Sequence, residues 1–340
     1  MEADCSSPTR KGGDIVTAAA ILDRFRNLRA LVAGDVCLDR WLRYDPALAE
    51  PSRETGLPRV AVTSTEVTPG AAGTIANNLA ALGIGRVAVL GARGDDGHGY
   101  ELEHALRARG IEAEALLASR QIATFTYTKL INLSTGVEDR PRVDFINASP
   151  LPEALESALV AALERAAAEF DVILVSDQAE THAGGVVTGR MRAALERIAT
   201  RKIVWVDSRR RAEHFRGVIL KPNEDEAGAA LIRIGAGDDY RALLNHTHAR
   251  MLVVTHGAAG ALLLDSAGEE WVRTRAVEHP VDICGAGDSF SAGAAMALAA
   301  GATPNDAVSF GNLVASITIM KPGTGTASPD EVLRAEASLR

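Results

Sequence analysis

Hydrophobic and polar residues follow two periods along this chain. Apolar residues recur at every third or fourth position over residues 15–27, which predicts an amphipathic helix, and the apolar run 31–33 that ends at Gly34 predicts a buried strand. The same alternation predicts helix 71–82, strand 86–90, helix 99–109, helix 152–168, strand 171–176, helix 186–199, strand 202–206 and strand 217–220. Strands such as VILVS and IVWVD are apolar throughout, as they are where helices cover both faces of a parallel sheet. The pattern predicts a doubly wound α/β fold with a mostly parallel sheet flanked by helices.

Two segments interrupt this alternation. Residues 58–67 and 122–146 are rich in β-branched residues that alternate with polar ones, and no helix is predicted within them. They predict half-exposed strands of a small second sheet, which would form a lid over a cleft. Because no Pro- or Ser-rich linker sets them apart, we interpret them as insertions and not as a separate domain. Residues 251–264 predict two strands joined by a glycine-containing turn.

Composition narrows the functional classes. The 340 residues are 47% hydrophobic and 24% charged, which is typical of a globular protein with a sizeable core. The net charge is −8, which argues against nucleic acid as a partner. No apolar run approaches the roughly 18 residues that a membrane span needs. We therefore expect neither a nucleic-acid-binding protein nor a membrane protein.

The cysteines and the N-terminus bear on the compartment. Cys5, Cys37 and Cys284 form no CxxC pair, so neither a disulfide framework nor a zinc ribbon is expected. The polar N-terminus lacks the charged-then-apolar order of a secretory signal. We therefore expect a cytoplasmic protein.

The segment DICGAGDSF, which precedes an alanine-rich helix, is the sharpest local feature. Small residues just before a helix leave its first N–H groups uncovered, and these groups bind anions together with the helix dipole. Gly285, Ala286 and Gly287 therefore form a candidate anion hole, and Asp288 is a candidate base for a hydroxyl proton. We expect the pKa of Asp288 to stay near its usual value of about 3.9 or lower.

Other interpretations of this segment exist. Gly-Ala-Gly-Asp is also a common turn followed by a helix N-cap. A dinucleotide-binding fingerprint is a weaker alternative, because Phe290 stands where its third glycine belongs and no βαβ unit precedes it.

Taken together, the chain resembles the PfkB or ribokinase family of sugar kinases over about residues 29–328. The segment ending at Asp288 matches the family's anion hole and catalytic aspartate. A second segment, PGAAGTIANNLAALGIGRVAVLGARGDDGHG, keeps in family register Gly70, Gly83, Gly91, Gly94, Asp95 and Gly99. The resemblance implies a ribokinase-like kinase domain over residues 29–340, preceded by an extension and helix over 1–28. It also implies ATP and Mg²⁺ as cofactors.

The resemblance assigns residues to a sugar site. Asp39 matches the aspartate that binds sugar hydroxyls, and an ionised carboxylate is a strong acceptor for them; taken alone, Asp39 could equally be a solvated loop residue. Gly70, Asn78 and Lys129 are the further expected substrate contacts. Thr74 lies where the family has an asparagine, which leaves sugar selectivity open.

The resemblance also assigns residues to the nucleotide. Asn223 and Glu226 match the family's NxxE motif, which is implicated in holding magnesium and phosphates through ordered water. The same pair is also a good helix-capping box. Thr255, Gly257 and Gly260 resemble the nucleotide-binding turn, although a plain hairpin turn would have the same glycines.

The final part of the resemblance concerns the C-terminal region. Asn312 and residues 321–326 correspond to the segments that border adenine in relatives. In some relatives this region and the residues around Asp282 also hold a monovalent cation, so the resemblance extends to K⁺ at Asp282.

Within the family, the chain resembles the heptose-7-phosphate kinase branch associated with ADP-heptose synthesis. It carries TKL, RVDF, Ser-Asp and KPGTGTASP segments in the order of that branch. However, Ile131 replaces an expected arginine and Glu180 replaces a lysine, and both changes disfavour a phosphorylated heptose as the acceptor. Residues 209–211 are three arginines that could restore the positive charge, or could be solvated surface.

We therefore predict an ATP-dependent kinase that phosphorylates a hydroxyl of a small sugar-like acceptor. A nucleoside kinase of the same fold is the nearest alternative. A non-catalytic sensor of nucleotide or sugar is a second, and a dehydrogenase is a third that the missing GxGxxG disfavours. Free edges of the lid strands could pair between subunits and make a homodimer.

Overall fold

The computed structural model describes residues 17–181, 183–275 and 277–338. Residues 1–16 of the extension and helix predicted over 1–28, with Cys5, lie outside the described residues. The helices are α1 (Ala18–Phe25), α2 (Ala72–Ala81), α3 (Gly97–Arg107), α4 (Glu153–Ala166), α5 (Gly189–Ala199), α6 (Glu224–Ile234), α7 (Tyr240–Thr247), α8 (Ala286–Ala299), α9 (Pro304–Thr318) and α10 (Pro329–Ala337). The strands are β1 (Arg29–Gly34), β2 (Val36–Tyr44), β3 (Val62–Ala71), β4 (Arg86–Gly94), β5 (Glu112–Ser119), β6 (Thr126–Asn132), β7 (Val143–Phe145), β8 (Val172–Asp177), β9 (Ile203–Ser208), β10 (Ile219–Leu220), β11 (Met251–Thr255), β12 (Ala261–Leu264) and β13 (Glu269–Val272).

The large sheet in the described chain has the strand order β13-β12-β11-β10-β9-β8-β1-β4-β5. Every pair from β11 to β5 is parallel, whereas β12 and β13 are antiparallel additions at one edge. The hairpin of β11 and β12 confirms the two strands predicted over residues 251–264. The mostly parallel sheet confirms the predicted fold class.

Helices cover both faces of this sheet because its central strands are apolar except at their carboxyl ends. Successive side chains of a strand point to opposite faces, so Val32 and Leu174 enter one core while Leu31 and Ile173 enter the other. The first core is closed by α1, α2, α3, α8, α9 and α10, and the second by α4, α5, α6 and α7. The carboxyl ends of the parallel strands are thereby left free to build a site.

The second sheet has the strand order β3-β2-β6-β7, and we call it the lid sheet. Its presence confirms the prediction of a small separate sheet. Its boundaries differ from the prediction: the strand predicted over 58–67 begins at Val62 and continues to Ala71, and the segment 122–146 contains β6 and β7. Strand β2 was missed, although it pairs along its length with both β3 and β6. These partners lie far apart in sequence, so no local pattern reveals the central position of β2.

Helix boundaries show smaller differences. Helix α5 was predicted from residue 186 but begins at Gly189, because the Thr188 side chain caps the Met191 N–H. Strand β5 was not predicted, and β10 is shorter than the predicted 217–220. In the three described stretches of chain, no helix combines the length and the apolar character that crossing a bilayer would take.

Candidate active site

A cleft of about 210 Å³ lies between the two sheets. Its walls come from β2 and β6 of the lid sheet, from the segment after β8, and from the N-terminus of α8. This volume is below the roughly 300–1,000 Å³ of typical ligand pockets, so the cleft suits a small ligand. Asp39 and Asp288 both line it, which brings the predicted sugar-binding and catalytic carboxylates together.

The start of α8 has the geometry expected of an anion hole. Gly285 occupies the N-cap position with a left-handed backbone (φ 78°), and no side chain caps the helix. A side chain at Gly285 would be strained at this φ and would crowd Thr74 and Thr324, each 3.3 Å from the added Cβ. Ala286 and Gly287 open the helix, so the first N–H groups of α8 lack a side-chain cap. The predicted turn is therefore present, but it exposes backbone donors.

Asp288 lies in the first turn of α8 and is partly buried. Burial raises its pKa to about 8, and the negative charges of Asp207 and Asp39 add to the effect. Lys221 and Arg209 act in the opposite direction. The expectation of an unshifted pKa is therefore wrong, because the helix N-terminus is outweighed by burial and by carboxylates from other strands.

Lys221 is the functional candidate that the sequence analysis missed. It follows β10 directly, is buried, and its Nζ lies 2.6 Å from Oδ2 of Asp207 at the end of β9. A Cβ added to Gly287 would lie 3.2 Å from the same Nζ, so the ammonium group sits beside the anion hole. The attraction of Asp207 holds the pKa of Lys221 above its usual value despite burial. The only local signal was a lysine directly after an apolar strand.

Asn223 and Glu226 form a complete capping box at the start of α6. The Asn223 Oδ1 accepts the Glu226 N–H at 2.8 Å, and the Glu226 Oε2 accepts the Asn223 N–H at 2.9 Å. The capping alternative is therefore correct. Burial and the nearby charge of Asp207 raise the pKa of Glu226, whereas the charge of Lys221 lowers it.

The oxygen atoms in this region fit a magnesium ion that arrives with phosphates. Mg²⁺ keeps several waters and is usually held by one or two carboxylates plus substrate phosphates. Asp207 and Glu226 supply carboxylates of that kind. Across residues 17–181, 183–275 and 277–338, no group of three or more acidic, histidine or cysteine side chains forms a ready metal cage.

The predicted nucleotide turn lies beside the capping box. Thr255 forms a parallel bridge with Asn223. Gly260 has φ 106°, and a Cβ there would lie 2.3 Å from the carbonyl oxygen of Val272, so only glycine fits. The Asn312 Nδ2 donates to the same carbonyl oxygen at 3.3 Å. The structure thus brings residues from four distant parts of the sequence together.

Residues predicted for the sugar lie mainly in the lid sheet. Asp39 is on β2, and Gly70 on β3 leaves room for it, since an added Cβ would lie 2.5 Å from the Asp39 Oδ2. Burial raises the pKa of Asp39 to about 6, whereas the charge of Lys129 lowers it. Thr74 and Lys129 also line the cleft. The alternative of a solvated loop aspartate is therefore wrong for Asp39.

Asn78 does not contact the cleft. Its side chain is 0% exposed, and its Nδ2 donates to the carbonyl oxygen of Thr74 at 3.0 Å. Helix α2 packs against α8, and this places Asn78 on the inner face of α2. The expectation that Asn78 binds the sugar is corrected by this burial.

The three consecutive arginines have three different environments. Arg209 lines the cleft, where its Nη1 lies 2.7 Å from Oε1 of Glu180. Arg210 donates to the main-chain oxygen of Glu180. Arg211 forms an ion pair with the buried Asp177. Only the first of the three can reach a ligand in the cleft.

Asp282 connects two loops. Its Oδ1 accepts the Cys284 N–H at 2.9 Å, and its Oδ2 accepts the Gly323 N–H at 3.1 Å. The carboxylate therefore holds the loop before the anion hole against the predicted adenine-bordering segment. Gly257 begins a short 3₁₀ turn, Gly257–Ala259, between β11 and β12.

A doubly wound sheet with a small lid sheet, and a glycine-rich helix start that shares its cleft with a lid aspartate, together define a class of proteins. The chain belongs to the pfkB family of carbohydrate kinases, whose model matches residues 35–331. The family predicted from the sequence is thereby confirmed, and the protein is a carbohydrate kinase.

Two relatives are similar to this chain in sequence. The chain is 33% identical to the bifunctional protein HldE of Caulobacter sp. (strain K31) over 329 residues, which cover 93% of this chain and 64% of that protein. It is also 33% identical to HldE of Geobacter metallireducens over 323 residues, covering 91% and 63% of the two chains. The chain thus spans just under two thirds of the length of these relatives.

Solved structures show the same fold. Ribokinase from Thermotoga maritima superposes with a TM-score of 0.68 at 19% identity, covering 91% of this chain and 99% of that one. Phosphofructokinase-2 from Escherichia coli, solved in complex with potassium, gives a TM-score of 0.70 at 20% identity, covering 92% and 99%. These similarities confirm the ribokinase-like fold.

Proposed function

We propose that the protein transfers a phosphoryl group from ATP to a hydroxyl group of a small sugar or sugar phosphate, with Asp288 as the base. The observation that carries this proposal is that Asp288, at the uncapped start of α8, and Asp39, on the lid sheet, line one cleft. A substrate hydroxyl held by Asp39 would lie within the same small space as the base. Residues 29–340 form the kinase unit in this proposal.

Asp288 would take the proton of the attacking hydroxyl. A base works best when its pKa lies near the operating pH, and burial raises the pKa of Asp288 to about 8. Below that pH the carboxyl group carries its own proton and cannot accept another. The approach of Lys221 to the site lowers the pKa of Asp288 and keeps part of the population ionised near neutrality.

Charge on the transferring phosphoryl group would be stabilised by two kinds of donor. The backbone N–H groups of residues 285–287 would supply the first, and the ammonium group of Lys221 would supply the second. The Ala286 N–H donates to the Ile283 oxygen at 3.2 Å, so it would have to exchange this bond for one to the phosphoryl group, whereas Lys221 is already held beside the hole by Asp207. Asp207 orients Lys221 through their ion pair and is a positioning residue in this scheme.

The residues that would hold the cofactors lie in the same region. Mg²⁺ would neutralise the phosphate charge, held by Glu226 and Asp207 through water. Thr255, Gly257, Gly260 and Asn312 would contact the nucleotide. Asp282 is the residue that would hold a monovalent cation such as K⁺.

The acceptor would be small and would contact both positively and negatively charged side chains. Lys129, Arg142 and Arg209 line the cleft together with Asp39 and Glu180. Carboxylates accept hydrogen bonds from sugar hydroxyls, while guanidinium groups pair with phosphate. The Glu180 carboxylate is already paired with Arg209, so an acceptor phosphate that binds Arg209 would have to displace Glu180.

We also propose a homodimer through the lid sheet. Its two edge strands, β3 and β7, carry exposed apolar side chains: Val62 is 43% exposed, Val143 is 50% exposed and Phe145 is 45% exposed. Unpaired edges with apolar side chains favour association with a second chain. Light scattering of the full chain, before and after Val143→Lys, tests this: a dimer that the substitution dissociates supports the proposal.

The central experiment measures magnesium-dependent ADP release from ATP with a panel of pentoses, hexoses, heptoses, their phosphates and nucleosides. One acceptor should stimulate ADP release, and Asp288→Asn should abolish the stimulation. Asp23→Asn is the matched control, because Asp23 is exposed on α1 and lies outside the cleft. Unchanged turnover in Asp288→Asn would overturn the assignment of the base.

A further inference from the structure

A second cavity, of about 650 Å³, lies next to the acceptor cleft. We call it the arginine cavity and define it by the four arginines on its wall, Arg192, Arg210, Arg211 and Arg233. The segments that follow β8 and β9 contribute to both cavities: Glu180 and Arg209 line the acceptor cleft, whereas residues immediately after each of them line the arginine cavity. The two cavities therefore share a wall.

The arginine cavity has more positive than negative charge. Glu156 and Glu213 are the acidic side chains on its wall. Glu213 is already paired with Arg233, with Nε and Oε1 2.5 Å apart. Arg211 is paired with the buried Asp177 behind the wall. Arg192 and Arg210 are the two arginines on the wall that take no part in these pairs.

Arg192 and Arg210 bond only to main-chain oxygens in the part of the chain that the structure describes. The Arg192 Nη1 donates to the Val187 oxygen at 2.8 Å, and the Arg210 Nη1 donates to the Glu180 oxygen at 2.6 Å. Neither guanidinium forms an ion pair with a carboxylate among the described residues. Each therefore keeps donors free for a ligand, since a guanidinium has five N–H groups.

Arg192 is partly buried without an ion pair to a carboxylate among the described residues. Burial lowers its pKa and the like charge of Arg211 adds to this effect, while the more distant charges of Asp177 and Glu213 only partly oppose it. Withdrawing a charge from water without pairing it is unfavourable, and an anion that binds there removes the cost. Arginine forks match the geometry of phosphate.

We propose that the arginine cavity binds the phosphate group of a small phosphorylated molecule, at a site separate from the kinase cleft. The ligand would bridge Arg192 and Arg210. Because the wall carries several cations and its acids are already paired, a monoanionic carboxylate would use fewer of the available donors than a phosphate. The proposal goes beyond the kinase reaction and does not depend on it.

The shared wall couples this site to the acceptor cleft. Arg210 holds the main-chain oxygen of Glu180, whose side chain pairs with Arg209 inside the cleft. Asp35 fixes the position of the same segment, because its carboxylate accepts hydrogen bonds from the N–H groups of Gln178, Ala179 and Val186. An anion that draws Arg210 away from Glu180 would change the position of that carboxylate in the cleft. Acceptor and effector would then alter each other's affinity by the same factor.

The test is calorimetric titration of the full-length protein with inorganic phosphate. Phosphate should bind to the wild type, and Arg192→Met should weaken this binding at least tenfold. Arg197→Met is the matched control, because Arg197 lies on the same helix but outside the cavity, paired with Glu164. Asp207→Asn combined with Lys221→Met separates the two sites: it removes the cation beside the anion hole without leaving a buried unpaired charge, and it should leave the Arg192-dependent binding intact.

A second arginine variant and two further ligands complete the test. Arg210 is exposed, so Arg210→Met should fold normally and should also weaken phosphate binding, even if Arg192→Met is unstable. Titrations with AMP and with glucose 6-phosphate show whether the phosphate belongs to a nucleotide or to a sugar. The correct class of ligand should bind more tightly than inorganic phosphate, and Arg210→Met should remove this difference in affinity. Phosphate binding that is unchanged in both arginine variants, or that disappears entirely in the Asp207→Asn, Lys221→Met double variant, would overturn the proposal. Binding is measured without turnover, so failure here would leave the kinase proposal standing.

Discussion

Replacing Lys221 by methionine tests the charge arrangement of the active site most directly. The substitution keeps the length of the side chain but removes the ammonium group that lies 2.6 Å from Asp207. Both partners are buried, so Asp207 would be left as an uncompensated charge. Removing one partner of a buried ion pair costs about 3–5 kcal/mol, so we expect the free energy of unfolding to fall by about that amount.

The same substitution should change catalysis in two ways. Loss of one preorganised positive group beside the transferring phosphoryl should lower kcat by about 10²–10³-fold. Because the charge of Lys221 lowers the pKa of Asp288, its removal should raise that pKa above about 8. The rising limb of the pH profile of kcat/KM should then move to higher pH.

Denaturant unfolding and steady-state kinetics over a pH series measure these effects. Asp207→Asn combined with Lys221→Met removes both charges, so it should recover most of the lost stability while activity stays low. Lys202→Met is the matched control, because the Lys202 Nζ donates to the Phe170 oxygen and lies away from the cleft. A Lys221→Met protein that loses stability but keeps the wild-type kcat and pH profile would refute the role of Lys221 in the reaction.

Other predictions follow from single contacts. In the wild type, kcat/KM should fall about tenfold per pH unit below about 8, as the partly buried Asp288 takes up a proton; a flat profile from pH 6 to 8 would contradict this. Gly70→Ala places a Cβ 2.5 Å from the Asp39 Oδ2, so KM for the acceptor should rise about tenfold or more while KM for ATP changes little. Asn223→Ala removes the N-cap of α6 and should cost about 1 kcal/mol in denaturant unfolding, whereas an unchanged midpoint would show that the capping box contributes nothing.

Several features of the site were predictable because their signals are local. Glycines around the start of α8 and a capping pair at the start of α6 act through the backbone of their own segment, and the structure has both in place. The apolar strands β8 and β9 likewise predict a sheet that is covered on both faces. Asp39 was found by resemblance, since nothing in its immediate neighbourhood separates it from a loop aspartate.

Other features could not be predicted because they depend on partners that are distant in sequence. Strand β2 became a central strand only through pairing with β3 and β6. Asn78 has the chemistry of a sugar ligand, but the packing of α2 turned it inward. The arginine run was divided among three environments by the end of β8, where Asp177 pairs with Arg211, and by Glu180 in the loop that follows.

The sequence by itself determined the alternation of helices and strands, the anion-binding turn and the family, because side-chain periodicity and backbone preferences act over a few residues. Only the tertiary structure decided which charges meet. The pairing of Lys221 with Asp207 and the high pKa of Asp288 depend on distances between the ends of different strands and on removal from water. Electrostatic energy depends on separation in space and on burial, and neither quantity can be deduced from separation along the chain.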